Sequence, residues 1–180
     1  MFGIRVVTLR LKSGINPFTI SHPSEAGFAV GEVALVVLIL RAARLLAFPL
    51  PGWADAQIVN SGLARALGAV LIGGALFLFA LALIAFGKSW RIGIDRRTPS
   101  ALVTGGIFRF SRNPIFLFLD LYVVGTFFIN GTAVFLIAAI LSALFLHFQI
   151  LREERFLLEH YGDAYRKYYA RTPRYFAGKF

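Results

Sequence analysis

No cysteine occurs among the 180 residues, which excludes disulfides, iron–sulfur clusters, thiolate zinc sites and cysteine nucleophiles. Acidic residues are scarce as well: nine Asp and Glu stand against 19 Lys and Arg, for a formal net charge of +10. Charged residues of either sign make up 16%, where a soluble domain carries about 25%. The three histidines are too scattered along the chain to build a metal site. A dinucleotide-binding fingerprint is missing too. Gly68, Gly73 and Gly74 have the wrong spacing and fall inside a hydrophobic run. No internal repeat or low-complexity tract is visible. Residues 1–25 do not read as a secretory signal, because Arg10 and Lys12 interrupt any apolar core.

What fills the chain is hydrophobic. Apolar types make up 58%, 19 of the residues are Phe, and the mean hydropathy is +0.72. A water-soluble chain of this length would have to expose large sticky patches, so the composition predicts an integral membrane protein. The positive charge then reads as orientation in the bilayer and contact with anionic headgroups, with no nucleic acid as partner. Crossing a bilayer takes about 20 apolar helical residues. Four candidate spans result, at about Ala26–Phe48, Leu63–Phe86, Pro114–Ile129 and Thr132–Leu151. Asn130-Gly131 is a tight-turn dipeptide that makes the last two a hairpin.

The charges set the expected sidedness. Lys88–Arg112 holds six basic residues against Asp95, and the stretch from Arg152 to the end holds seven more. Both segments flank the hairpin, so both fall on one side, which the positive-inside rule makes cytoplasmic. The Pro49–Ala64 connection contains Asp55 and no base, as an outer loop should. Four passes with both termini in the cytoplasm follow, in the inner membrane of a bacterium or archaeon. The expected fold is an all-α membrane bundle of about four transmembrane helices, with a C-terminal cytoplasmic helix from about Leu151 closing over a cleft. Residues 1–87 form the first unit, and residues 88–180 the functional core.

Nearly all the polar chemistry sits in the two basic segments. The first reads Leu102-Val-Thr-Gly-Gly106-Ile-Phe108-Arg-Phe-Ser-Arg112-Asn113-Pro114-Ile-Phe116. The second runs from Arg152-Glu153-Glu154-Arg155 through Tyr161-Gly162-Asp-Ala-Tyr165 and Tyr168 to Arg171-Thr-Pro-Arg174. Consecutive glutamates where a membrane helix needs only basic residues are an unforced cost. A Gly-Gly pair before an aromatic and an Arg-Asn-Pro stop suggests a shaped backbone.

In order and spacing these residues resemble the isoprenylcysteine carboxyl methyltransferase family, which includes related phospholipid methyltransferases. Its pattern is L-V-T-x-G-x-Y, R-H-P-x-Y, E-E-x-x-L, then F-G-x-x-Y-x-x-Y and a basic end. The match covers about residues 88–176. The resemblance implies S-adenosylmethionine as methyl donor, held at the cytoplasmic face where the two segments fold over the hairpin. It implies cofactor contacts from Gly106, Phe108, Arg112, Asn113, Pro114, Glu154, Tyr165, Tyr168 and Arg174. Glu153 and Arg112 take the catalytic positions, and Phe116, Gln149 and Asp120 face the substrate. No metal is expected. Arg suits a carboxylate, Glu an ammonium or ribose hydroxyl, and aromatic rings suit adenine or a sulfonium.

Asn113 stands where the family has His, and Phe108 and Phe116 stand where it has Tyr. Asp120 and Glu32 lie about six residues inside their spans, roughly 9 Å deep. An ionisable group there points to function. The acceptor is lipophilic: a prenylcysteine carboxylate, which needs no base, a phospholipid amine, which needs one such as Glu153 or His147, or a small thiol. Two other readings are a non-enzymatic lipid-binding module on the same scaffold and a nicotinamide-dependent reductase of related architecture.

Overall fold

The computed structural model describes residues 25–45, 51–86 and 102–176, whose regular secondary structure is helical apart from an isolated bridge between Gln57 and Thr132. Five α-helices follow in order: α1 (Glu25–Leu45), α2 (Gly62–Phe86), α3 (Pro114–Asn130), α4 (Ala133–Tyr161) and α5 (Asp163–Arg171), with a 3₁₀ turn at Gly106–Arg109 before α3. The first 24 residues, the Glu32 and Arg44 side chains and the basic stretch from Lys88 through Arg97 lie outside the described residues.

Local chemistry explains where the helices start and stop. Ser61 caps α2 by accepting from the Ala64 amide at 3.1 Å, a preferred N-cap arrangement. Pro114 opens α3, where its missing N–H costs nothing. Gly131 ends α3 in the left-handed conformation, φ 69°, with its amide on the Phe127 carbonyl. That backbone geometry favours glycine. The loop before α2 supplies the N-terminal cap of α4, since the Ala133 and Val134 amides donate to the carbonyls of Ala56 and Ala54 at 2.9 and 3.0 Å. The Ile58 and Val59 amides in turn donate to the Gly131 carbonyl. The acidic loop and the Asn130-Gly131 turn are thereby stitched together at one end of the bundle.

Nothing between Ala133 and Tyr161 breaks the helical repeat, so α4 passes straight through Leu151 and runs for 29 residues, about 43 Å. The separate C-terminal helix expected from Leu151 begins only at Asp163. Gly162, at φ 51°, makes the break. Among the described helices, α2 and α4 are long and apolar enough to cross a membrane. Only 22% and 28% of their most apolar stretches are buried inside the protein, too little for core helices of a soluble domain. On α2 the outward stripe is Leu63, Val70, Phe77 and Ile84, each more than half exposed and seven residues apart, a face suited to lipid. At 17 residues, α3 spans about 25 Å, short of the roughly 30 Å hydrocarbon core.

Helices α2 and α3 cross with their backbones nearly touching. A Cβ on Gly68 would sit 2.7 Å from the Gly125 carbonyl, and one on Gly125 would sit 2.9 Å from the Gly68 carbonyl. Small residues at such a crossing let dispersion act where lipid removes the hydrophobic drive. One apolar cluster joins α1 through α4, with Val37, Leu78, Phe116, Phe127, Leu146 and Ile150 among its members. A smaller one joins Ala82 of α2, Phe108 of the 3₁₀ turn, and Tyr165 and Tyr168 of α5.

Candidate functional site

The hairpin of α3 and α4 brings the start of one helix beside the end of the other, and the two basic segments meet there. Glu154 is the hub. Its side chain is 7% exposed, and that of Arg112 is 2% exposed. Arg112 donates from Nε and Nη2 to Glu154 Oε1 at 3.1 and 3.0 Å, and Asn113 Nδ2 donates to the same oxygen at 3.0 Å. Arg174 approaches from the C-terminal segment, giving Nη2 to Oε2 at 2.9 Å and Nε to Oε2 at 3.2 Å. A carboxylate buried this deeply is tolerable only with such partners.

Arg112 also fastens the chain beyond α5. Its Nη1 donates to the carbonyls of Tyr169 and Thr172 at 2.9 and 2.7 Å. Its guanidinium carbon lies 3.8 Å from the centroid of the Tyr169 ring, a cation–π contact. Its amide donates to the Pro173 carbonyl at 2.9 Å. The Ser111 hydroxyl donates to the Arg174 carbonyl at 2.9 Å, and the Tyr168 hydroxyl to the Phe108 carbonyl at 2.7 Å. Leu102–Asn113 and Glu154–Tyr175 are thus clasped by hydrogen bonds through side chains and backbone alike.

These contacts set the charges. Burial alone would raise the Glu154 carboxyl, yet hydrogen bonds from Arg174, Asn113 and Arg112, with the Arg112 charge, hold it below the ordinary glutamate range. The hub glutamate is therefore an anion. Burial lifts the Tyr165 and Tyr168 phenols far above their usual values, so both stay neutral.

The sequence-derived residues fall into three places. Arg112, Asn113, Glu154 and Arg174 form the hub, with Pro114 buried at the first turn of α3. Phe108, Tyr165 and Tyr168 pack beside it in the smaller cluster. Gly106 sits at φ 59°, where a Cβ would press within 2.9 Å of the Ala85 Cβ, so it shapes the backbone. Phe116 and Gln149 lie deeper, both buried, while Glu153 and Asp120 are half-buried. Asp120 stands two turns into α3, away from the hub. Sequence reasoning passed over Tyr169, Thr172, Ser111 and the pairing of His147 with Tyr175. Tyr169 and Thr172 work through backbone carbonyls or a ring face, which leave no residue-type signature. The Arg-Thr-Pro-Arg-Tyr run was the one available hint.

Two buried polar atoms near the hub lack a hydrogen-bond partner: Gln149 Oε1 and the Tyr165 hydroxyl. Gln149 precedes Glu153 by one helical turn on the same face, and the charges of Glu154 and Glu153 both act on Tyr165. Buried polar groups without a partner are uncommon in folded proteins.

An apolar helical bundle with two membrane-length helices and an ionic clasp at one end is the architecture of a membrane protein class. Comparison with known families then places it: residues 63–164 match the phospholipid methyltransferase family, more than half the chain, and the chain belongs to that family. The match begins at the start of α2, so it takes in a helix that the motifs alone did not. No curated protein matches the chain.

Proposed function

We propose that the protein is an S-adenosylmethionine-dependent methyltransferase acting at the clasped, basic end of the bundle on a lipid acceptor drawn from the bilayer. The observation that carries this reading is the pair of unmet buried polar atoms, Gln149 Oε1 and the Tyr165 hydroxyl, beside a clasp built from the family's own segments. S-adenosylmethionine offers what they lack, N–H and O–H donors on its ammonium, ribose and adenine, and its residues of contact fit. Gln149, Glu153 and Tyr165 would hold its donors, and the aromatic cluster of Phe108, Tyr165 and Tyr168 its adenine or sulfonium. When bound, the group supplies a methyl carbon made electrophilic by a sulfonium.

The chain's own contribution is alignment and exclusion of water. Arg112 spends its donors on Glu154 and on two carbonyls, so it acts as a positioning residue that locks the C-terminal segment against the start of α3. Arg174, a quarter exposed in its side chain, is the guanidinium better placed for an anionic ligand group. Asn113 fills the family's His position and serves the hub as a hydrogen-bond donor, a role that needs no titration. Membership of the phospholipid methyltransferase family favours a phospholipid over a prenylated cysteine, and an amine-bearing headgroup is the acceptor we assign. Leu102–Asn113 and the chain after Glu154 meet at one end of the bundle and the acidic loop lies at the other, and our reading keeps the former at the cytoplasmic face.

Calorimetry of the detergent-purified protein with S-adenosylhomocysteine tests this reading. Binding is expected, and Gln149→Leu should weaken it about tenfold, the value of one buried hydrogen bond, with an unchanged melting temperature. Absence of binding heat with the wild-type protein refutes it.

A further inference from the structure

A second polar layer lies above the hub. Asn113 and Glu154, joined at the clasp, mark one level of the antiparallel hairpin. Seven residues further along each helix stand Asp120 on α3 and His147 on α4. Both are two turns away, about 10.5 Å at 1.5 Å per residue, and both lie on the face their helix turns to the clasp. Between the layers, one turn from each hub residue, Phe116 and Ile150 are 2% and 0% exposed and belong to one apolar cluster.

Tyr175 completes the upper layer. Because Arg174 is tied to Glu154, the next residue is delivered to the hairpin, and its hydroxyl lies 3.1 Å from His147 Nδ1. Burial raises the Tyr175 phenol, and a charge on nearby Asp120 raises it further. Asp120 Oδ1 is itself buried without a hydrogen-bond partner. Both guanidiniums of the clasp, Arg112 and Arg174, are committed to Glu154. A carboxyl group, a phenol and an imidazole therefore share one level inside the apolar half of the bundle, one layer deeper than the clasp.

Resting on the methyltransferase reading, we infer that Asp120, Tyr175 and His147 form the acceptor-headgroup site: the carboxylate holds an ammonium, and the phenol passes its proton to the imidazole. The step balances without another reagent. The ammonium N–H proton moves to the Tyr175 oxygen as the Tyr175 O–H proton moves to His147 Nδ1. An ammonium and a neutral imidazole become a free amine and an imidazolium, with the phenol unchanged. The amine then has the lone pair that any methyl transfer to nitrogen requires. A carboxylate acceptor would need neither a carboxyl partner nor a proton relay, so this layer fits an amine.

The test uses the full chain in detergent micelles with dihexanoyl phosphatidylethanolamine as acceptor, and with an analogue whose fluorinated headgroup amine is unprotonated at the assay pH. Asp120→Asn should weaken calorimetric binding of phosphatidylethanolamine about tenfold or more, the scale of a charge-assisted bond. His147→Gln and Tyr175→Phe should bind that lipid like the wild type. They should transfer methyl groups to it about a hundredfold more slowly, the scale of lost general-base catalysis, and recover with the fluorinated analogue. S-adenosylhomocysteine affinity should be unchanged in all three, which shows that they fold. Undiminished lipid binding by Asp120→Asn, or equal losses on both acceptors in the other two, overturns the assignment. A wild-type protein that binds S-adenosylhomocysteine but not phosphatidylethanolamine ends this inference and leaves the methyltransferase reading standing. Failure to bind S-adenosylhomocysteine ends both.

Discussion

Replacing Glu154 by Gln keeps the shape of the hub and removes its charge. Arg112, 2% exposed in its side chain, would then be a buried cation without an anion. Breaking a buried pair from one side costs about 3–5 kcal/mol. Two facts place this case near the lower figure. Arg112 keeps the Tyr169 and Thr172 carbonyls, and the amide oxygen of Gln still accepts. Arg174 adds little, because its side chain is 26% exposed and water screens a freed surface cation. A loss of about 3 kcal/mol is expected in denaturant unfolding of the micelle-bound protein. The double variant Arg112→Met with Glu154→Met should recover much of it, since an apolar pair of similar volume often replaces a buried ion pair without penalty. Acid gives an independent check. The folded-state carboxyl lies below its unfolded value, so its contribution is complete above the ordinary glutamate pKa of about 4.3. That contribution is lost as pH falls through the lower folded value. Wild type should therefore lose stability below that range faster than Glu154→Gln. A Glu154→Gln protein that unfolds within about 0.5 kcal/mol of wild type, the range of a neutral surface change, would refute the buried-hub reasoning.

Tyr168→Phe removes the hydroxyl that serves the Phe108 carbonyl and leaves that carbonyl buried, for a loss of about 1–3 kcal/mol. Limited proteolysis should show faster cleavage at the exposed Arg109, and an unchanged digestion pattern would count against the clasp. Gly125→Ala puts a methyl 2.9 Å from the Gly68 carbonyl and 2.8 Å from Ile72 Cγ1. It should lower stability by about 1–3 kcal/mol through overpacking, read as a lower melting temperature, whereas Gly74→Ala, with open space around it, should not.

Much of this architecture was written in residue type and spacing. Pro114 and the Asn130-Gly131 pair fixed both ends of α3, because proline at a first turn and glycine at a left-handed stop are backbone requirements. The Asn130-Gly131 turn also foretold that the segments on either side of the hairpin would share one end. Glu153-Glu154 with Arg112-Asn113 marked the polar centre, since such residues beside apolar helices need a reason to exist. The boundary drawn at Leu151 failed for a physical reason: a change from apolar to charged composition alters what surrounds a helix, not the backbone hydrogen bonding that continues it.

Only the packed chain decided which charges pair. Composition and order made the protein a hydrophobic helical bundle with basic segments, because burial and backbone satisfaction are local demands. Nothing local could reveal that Arg112 is consumed by Glu154 and two carbonyls, that Tyr169 lends its ring face, or that Tyr175 reaches His147 across 28 positions. Those contacts exist because the hairpin brings positions about 40 residues apart to one level, and distance along a chain says nothing of distance across it.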